Sequence, residues 1–163
     1  MAADFYLQLD GIKGESADSK HQGWIECTTV NWSITQPKSA TASTSGGHTA
    51  ERAELSEITI SKLVDLASPL LAQVCACGKT IPKAKLEMMR ADGNGEPIKY
   101  FEVELENVLI AHIAPAFAGG DLAGEGLGLK FSKVKWKYTQ QKVGGGSSGN
   151  TAGGWDLATN RIA

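Results

Sequence analysis

Glu102, Glu104 and Glu106 are the residues of this chain whose type and spacing come closest to those of a reaction centre. On a strand, residues two apart share a face at a separation of about 6.6–6.8 Å, near the carboxylate spacing of inverting glycosidases. Acid–base hydrolysis needs one carboxyl kept protonated beside an ionised one, so the two must sit in unlike surroundings. Three equivalent glutamates on a solvated strand face offer no such difference, and a carbohydrate-active enzyme is disfavoured. Lys133, Lys135 and Lys137 form a matching basic face on a later strand. Cross-strand pairing, at roughly 0.2–1 kcal/mol per pair, accounts for both sets. Trp136 and Tyr138 alternate with these lysines and point to the other side of the sheet, which separates cations from stacking rings and disfavours nucleic-acid binding.

Cys27, Cys75 and Cys77 are odd in number and have no spacing of a disulfide framework, so reduced thiols are expected. On a helix Cys75 and Cys77 point about 200° apart and cannot hold one ion together. His21, His48 and His112 lie in unrelated contexts, so no metal and no cofactor is expected. There is no Gly-x-Ser-x-Gly elbow, phosphate loop or dinucleotide fingerprint. Gly119, Gly120, Gly124, Gly126 and Gly128 read as an irregular loop.

The elements that would carry these residues are mainly strands. A chain of 163 residues is one domain by size, and its 19 glycines favour many turns. A net charge of −2 gives no general attraction for nucleic acid or anionic lipid. Phe5, Leu7 and Leu9 alternate with polar residues up to the Asp10-Gly11 turn. Three longer segments change apolar parity midway: Ile25 and Cys27 against Val30, Trp32 and Ile34; Phe101, Val103 and Leu105 against Val108, Ile110 and His112; and Leu127, Leu129 and Phe131 against Val134, Trp136 and Tyr138. A one-residue phase change is the mark of a bulge that bends a strand from one sheet into another. The expected fold is a small closed β-barrel formed by two sheets with one short α-helix. Further strands fall at Ile58 and Ile60 and at Ala84 to Met88, with a turn over Asp92–Pro97. Ser68 as cap, Pro69 at the first position and Leu70, Leu71, Val74 and Cys75 on one stripe predict a helix that ends at Gly78 and buttresses the barrel.

Two polar segments stand out. A long loop, 37–53, is made of small residues and exceeds what a compact domain ordinarily carries unless a partner orders it. A Gly/Ser-rich segment, 143–154, reads as a linker before a C-terminal tail containing Trp155, Leu157 and Ile162, which must dock. The start has no basic region before an apolar run, so no cleaved signal peptide is expected. Val108 to Ala118, the longest apolar stretch, falls short of the roughly 20 residues of a membrane span.

Gly11-Ile12-Lys13-Gly14-Glu15-Ser16, followed by Asp18, Lys20-His21, Gly23, Ile25-Glu26, Trp32 and Gln36, resembles the opening of Hcp proteins. The resemblance continues through Lys62–Asp65, Ser68-Pro69-Leu70, Tyr100, Val108–Ile110 and Tyr138–Gln140, and closes at Gly154-Trp155-Asp156-Leu157 and Asn160. It implies a single Hcp-like domain over 1–163 with no enzymatic activity. Such a domain assembles as hexameric rings that stack into the inner tube of the bacterial type VI secretion machine and carry effector proteins. The implied partners are further copies, effectors, sheath and spike, with no nucleic acid and no membrane insertion, and the implied locations are cytoplasm and cell exterior. If Val30, Trp32 and Ile34 face the core, Thr29, Asn31 and Ser33 point away and would line the channel. Ser43, Thr44, Ser45, Gly46, Gly47 and His48, in the long loop, would reach a neighbouring subunit or ring, and Trp155 would anchor the tail. The competing expectation is a monomeric β-barrel that binds a small apolar ligand.

Overall fold

The computed structural model describes residues 4–37 and 51–163. In chain order its elements are β1 (Asp4–Leu9), β2 (Ile25–Cys27), β3 (Thr29–Asn31), β4 (Ile34–Thr35), β5 (Glu54–Leu55), β6 (Ile58–Leu63), α1 (Ser68–Cys77), β7 (Ile81–Ala91), β8 (Pro97–Ala116), β9 (Gly124–Lys130), β10 (Lys133–Gln141), β11 (Ser147–Asp156) and β12 (Arg161–Ile162). A first sheet runs β12-β11-β10-β8-β7-β1-β2, and a second runs β3-β6-β9-β8, so the 20-residue β8 belongs to both. Every pairing is antiparallel. Between the sheets Leu7, Ile25, Ile58, Ile60, Leu86, Val103, Leu105, Ile110, Leu127 and Leu129 are almost wholly buried. Each such side chain contributes about 1.5–3 kcal/mol by leaving water.

The three parity changes are corners. Thr28 separates β2 from β3 and donates its backbone N–H to Ser61 O at 2.7 Å. Asn107, between Leu105 and Val108, adopts a left-handed φ of 53°, a conformation that asparagine tolerates better than a bulkier or branched residue. Its side-chain amide donates to Ser132 Oγ at 2.9 Å, and Ser132 N donates to Glu106 O at 3.0 Å. Phe131 and Ser132 are therefore the matching corner, between β9 and β10.

The expected closed barrel does not form; the sheets are two and open. β3 pairs only with β6, and the 109–116 half of β8 only with β9, among the described residues. The corners bend strands from one sheet into the other without joining the last edges. The 143–154 segment is likewise not a linker. Its turn is confined to 142–146, and Ser147–Asp156 pairs along the length of β10. Backbone donors and acceptors of β10 supply that ladder, so low side-chain propensity in β11 does not prevent it. Gly124, Gly126 and Gly128 lie within β9 rather than in an irregular loop.

The helix departs from expectation at its start. Ala67 is the N-cap and Ser68 lies inside the first turn, with no side-chain cap. The Ser68 hydroxyl is drawn elsewhere, accepting from Asp65 N at 3.0 Å and donating to the Glu125 carboxylate. Leu71 is the buried residue of α1, Val74 and Cys75 are partly buried against the core, and Leu70 is exposed. The helix lies against β8 and ends in the left-handed Gly78, φ 68°.

Candidate functional site

The outward face of the second sheet is built from small side chains. Thr29 stands opposite Ser61, and Asn31 opposite Thr59. Ser61 and Thr59 face Gly126 and Gly128 of β9, which in turn face Ala114 and His112 of β8. Alternation sends Ile60, Leu127 and Leu129 into the core and leaves hydroxyl, amide, methyl and bare backbone groups outside. His112, whose Nδ1 is 3.1 Å from Glu57 Oε1, closes the row. Ser33 lies beyond the end of β3 rather than on it. It lies in the bend between β3 and β4, where its N–H donates to Ser56 Oγ at 2.8 Å and its carbonyl accepts from Ser56 N at 2.9 Å.

β4 and β5 form a separate two-stranded ribbon, Ile34 opposite Leu55 and Thr35 opposite Glu54. Gln36 Oε1 accepts from Glu51 N at 3.0 Å, which ties the two ends of the long loop together. Ser43, Thr44, Ser45, Gly46, Gly47 and His48 lie outside the described residues.

The first sheet presents a contrasting outward face of charge columns. Lys133, Lys135 and Lys137 stand opposite Glu106, Glu104 and Glu102, as their spacing predicts. The three glutamates are not equivalent: Glu102 is buried, Glu106 intermediate and Glu104 exposed. Glu102 pairs with Lys99 and with Lys85 at 3.3 Å, while Glu104 is 3.7 Å from Lys85 and Glu106 is 3.4 Å from Lys133. Burial is the strongest influence on the Glu102 carboxyl and opposes its charge. The hydrogen bond from Lys99, with the charges of Lys99 and Lys85, outweighs it and holds the pKa below the usual range. A carboxyl held ionised is a poor proton donor, so Glu102 does not suit the acid role in glycoside hydrolysis.

Two buried polar clusters brace the fold. His21 lies between Asp18 Oδ2, 2.6 Å from Nδ1, and Glu87 Oε1, 2.9 Å from Nε2, and stacks on Tyr6 with centroids 4.1 Å apart. Burial first, then nearby carboxylates, push the Tyr6 hydroxyl up to about 12. The ring pins the opening loop to β7, and Gly14 makes that loop possible. A Cβ at Gly14 would stand 2.4 Å from Trp24 O and 2.8 Å from Ile25 N, closer than atoms pack. In the second cluster the fully buried Lys62 reaches Leu63 O (2.9 Å), Asp65 Oδ1 (3.0 Å), Glu125 Oε2 (3.2 Å) and Ser68 Oγ (3.4 Å). Neither cluster was visible in the sequence, because Glu87 and Glu125 lie 66 and 63 positions from their partners.

Trp155 is half-buried against the core, opposite Val134 on one side and Ile162 on the other. Gly154 before it permits the close approach, since a Cβ there would meet Val134 O at 3.0 Å and Ala163 Cβ at 3.2 Å. Asp156 accepts from Ala158 N and Thr159 N at 2.9 and 3.1 Å, and these bonds, that of Thr159 foremost, hold its carboxyl below the usual range. Leu157 O accepts from Arg52 at 3.3 Å, so the tail touches the base of the long loop. Cys27 is buried, which pushes its thiol up to about 12, and Cys75 and Cys77 are free.

A two-sheet β fold with one bracing helix, sharing one long bent strand, is the architecture of type VI secretion proteins of known structure. The chain superposes on Hcp1 of Salmonella typhimurium with TM-score 0.82 at 32% identity over 100% of both chains. It superposes on another type six secretion system protein with TM-score 0.91 at 28% identity, over 99% of this chain and 100% of that one. Protein hcp1 of Pseudomonas aeruginosa is 30% identical over 162 residues, 98% of each chain. The model of the family described as type VI secretion system effector, Hcp, matches residues 6–138. The chain belongs to the Hcp family.

Proposed function

We propose that this chain is the structural subunit of the type VI inner tube, and that copies close into hexameric rings which stack, carry effector proteins in their lumen and are themselves secreted. The observation that carries the reading is the second sheet: four strands, an outward face mostly of small uncharged groups, and, among the described residues, a strand partner lacking at both ends. β3 and β8 run in opposite directions, so setting β8 of one copy beside β3 of the next continues the antiparallel alternation. Such a contact is head to tail, and it closes into a ring when the rotation between copies allows.

Thr29 and Asn31, with Thr59 and Ser61 behind them, then form the wall of the bore, and Ser33 marks its end. Groups of this kind hold cargo through weak, water-mediated contacts and release it readily. The long loop, with Ser43–His48 at its middle, reaches a neighbouring subunit or ring from its root at β4 and β5. Trp155 keeps the tail against the core. Sheath and spike proteins are the outer partners, and the chain acts without catalysis in the bacterial cytoplasm and, after firing, outside the cell.

Native mass spectrometry of the wild type and of Asn31→Asp, combined with recovery of co-expressed effector on the purified protein, tests this reading. Both proteins should be hexamers, and the variant should retain several-fold less effector. Equal recovery on intact rings contradicts the wall assignment. A monomer contradicts the ring and favours a ligand-binding β domain.

A further inference from the structure

Among the described residues the outer edge of β11 has none of the devices that keep strand edges apart. β11 pairs with β10 along its length, but on its other side β12 and Ala163 cover only Gly154 to Asp156 among the described residues. Ser147 to Gly153 are all exposed, and this edge contains no proline and no charged side chain. Natural proteins ordinarily shield such an edge, because its unpaired N–H and C=O groups invite another strand.

A second, independent feature lies one strand inward. Lys135 and Lys137 face Glu104 and Glu102 in register, yet those carboxylates turn to Lys85 and Lys99 on the opposite side. Among the described residues Lys135 and Lys137 have no ion-pair partner. Gly154 and Ala152 stand between these lysines and the edge, and the Lys135 stem lies over Gly154, with Cγ 3.1 Å from where a Cβ there would stand. On the other face of β11, Thr151 lies opposite the exposed Tyr138, which suits apolar side chains.

We propose that the edge from Ser147 to Gly153 receives an extended acidic segment of a different protein as an added strand, with Lys135 and Lys137 pairing its carboxylates. The long loop of a second copy is a poor occupant, since Lys38 to Ala50 contains a lysine and a histidine but no carboxylate. The inference does not rest on ring closure.

Hydrogen exchange on the full-length protein with a short synthetic peptide of alternating glutamate and valine tests it, with a lysine-for-glutamate peptide as control. The acidic peptide should slow exchange across residues 147–153, bind less well as salt rises, and lose affinity about tenfold in the Lys135→Glu/Lys137→Glu variant. Native mass should be unchanged by the substitutions. Equal binding of the basic peptide, or protection elsewhere only, would overturn the proposal. So would a changed oligomeric mass in the variant, which would assign the edge to a contact between copies.

Discussion

Lys62→Met should lower the stability of the folded chain by about 3–5 kcal/mol, the usual cost of removing one partner from a buried ion pair. The side chains of Lys62 and Glu125 are wholly buried and that of Asp65 nearly so. Methionine fills similar space but leaves two carboxylates facing a low-dielectric interior. Glu125 is the more exposed to this loss, because among the described residues its Oε1 already has no partner and its Oε2 would keep only the Ser68 hydroxyl. Asp65 would still accept from Ala67 N at 3.0 Å. In urea the midpoint should fall by about 2 M for a chain of this size. Adding Glu125→Gln to Lys62→Met should recover part of the loss, since the neutral amide needs no counter-charge. An unchanged midpoint in Lys62→Met would mean that the cluster is hydrated and contributes little.

Leu71→Ala should cost about 2–5 kcal/mol, the range for deleting a fully buried leucine and leaving a cavity. Leu71 is the residue through which α1 enters the core, and its position under β8 ties the helix to the strand shared by both sheets. Leu70, its neighbour, is exposed, and Leu70→Ala should change stability by no more than about 0.5 kcal/mol. Equal denaturation midpoints for the two variants would contradict the docking of the helix.

The corners of the fold were legible because parity is a strict code. Ile25 and Cys27 cannot share a face with Val30 and Trp32 on one straight strand, and Thr28 is where the structure bends. The same reasoning put changes between Leu105 and Val108 and between Phe131 and Val134, where the structure has Asn107 and Ser132. Closure was not legible, since parity records which face a residue takes and not whether the last two edges meet. β11 was misread for a related reason: glycine and serine have low strand propensity, but the ladder there is made by the backbone of β10. Ser68 was placed as a cap from local sequence alone, whereas Glu125, 57 positions away, claims its hydroxyl. Glu102 looked like its neighbours until the register brought Lys85 and Lys99 to it across β7 and β8.

Of the surfaces named from sequence, Thr29 and Asn31 share one exposed face, and Ser33 lies in the bend after β3. Their partners Thr59, Ser61, Gly126 and Gly128 came from pairing rather than pattern, and they extend two polar residues into a face that spans four strands. The contrast with the charge columns of the first sheet distinguishes the two sides of the molecule. One side offers mostly small uncharged groups to a passing protein, with the Glu57–His112 pair at its border. The other displays alternating ammonium and carboxylate rows.

Negative-stain imaging of the purified full-length chain tests the ring most directly. Annular particles with a stain-filled centre, some stacked face to face, are the expected result. Uniform solid particles of single-subunit size, persisting as concentration rises, would contradict the tube-subunit account.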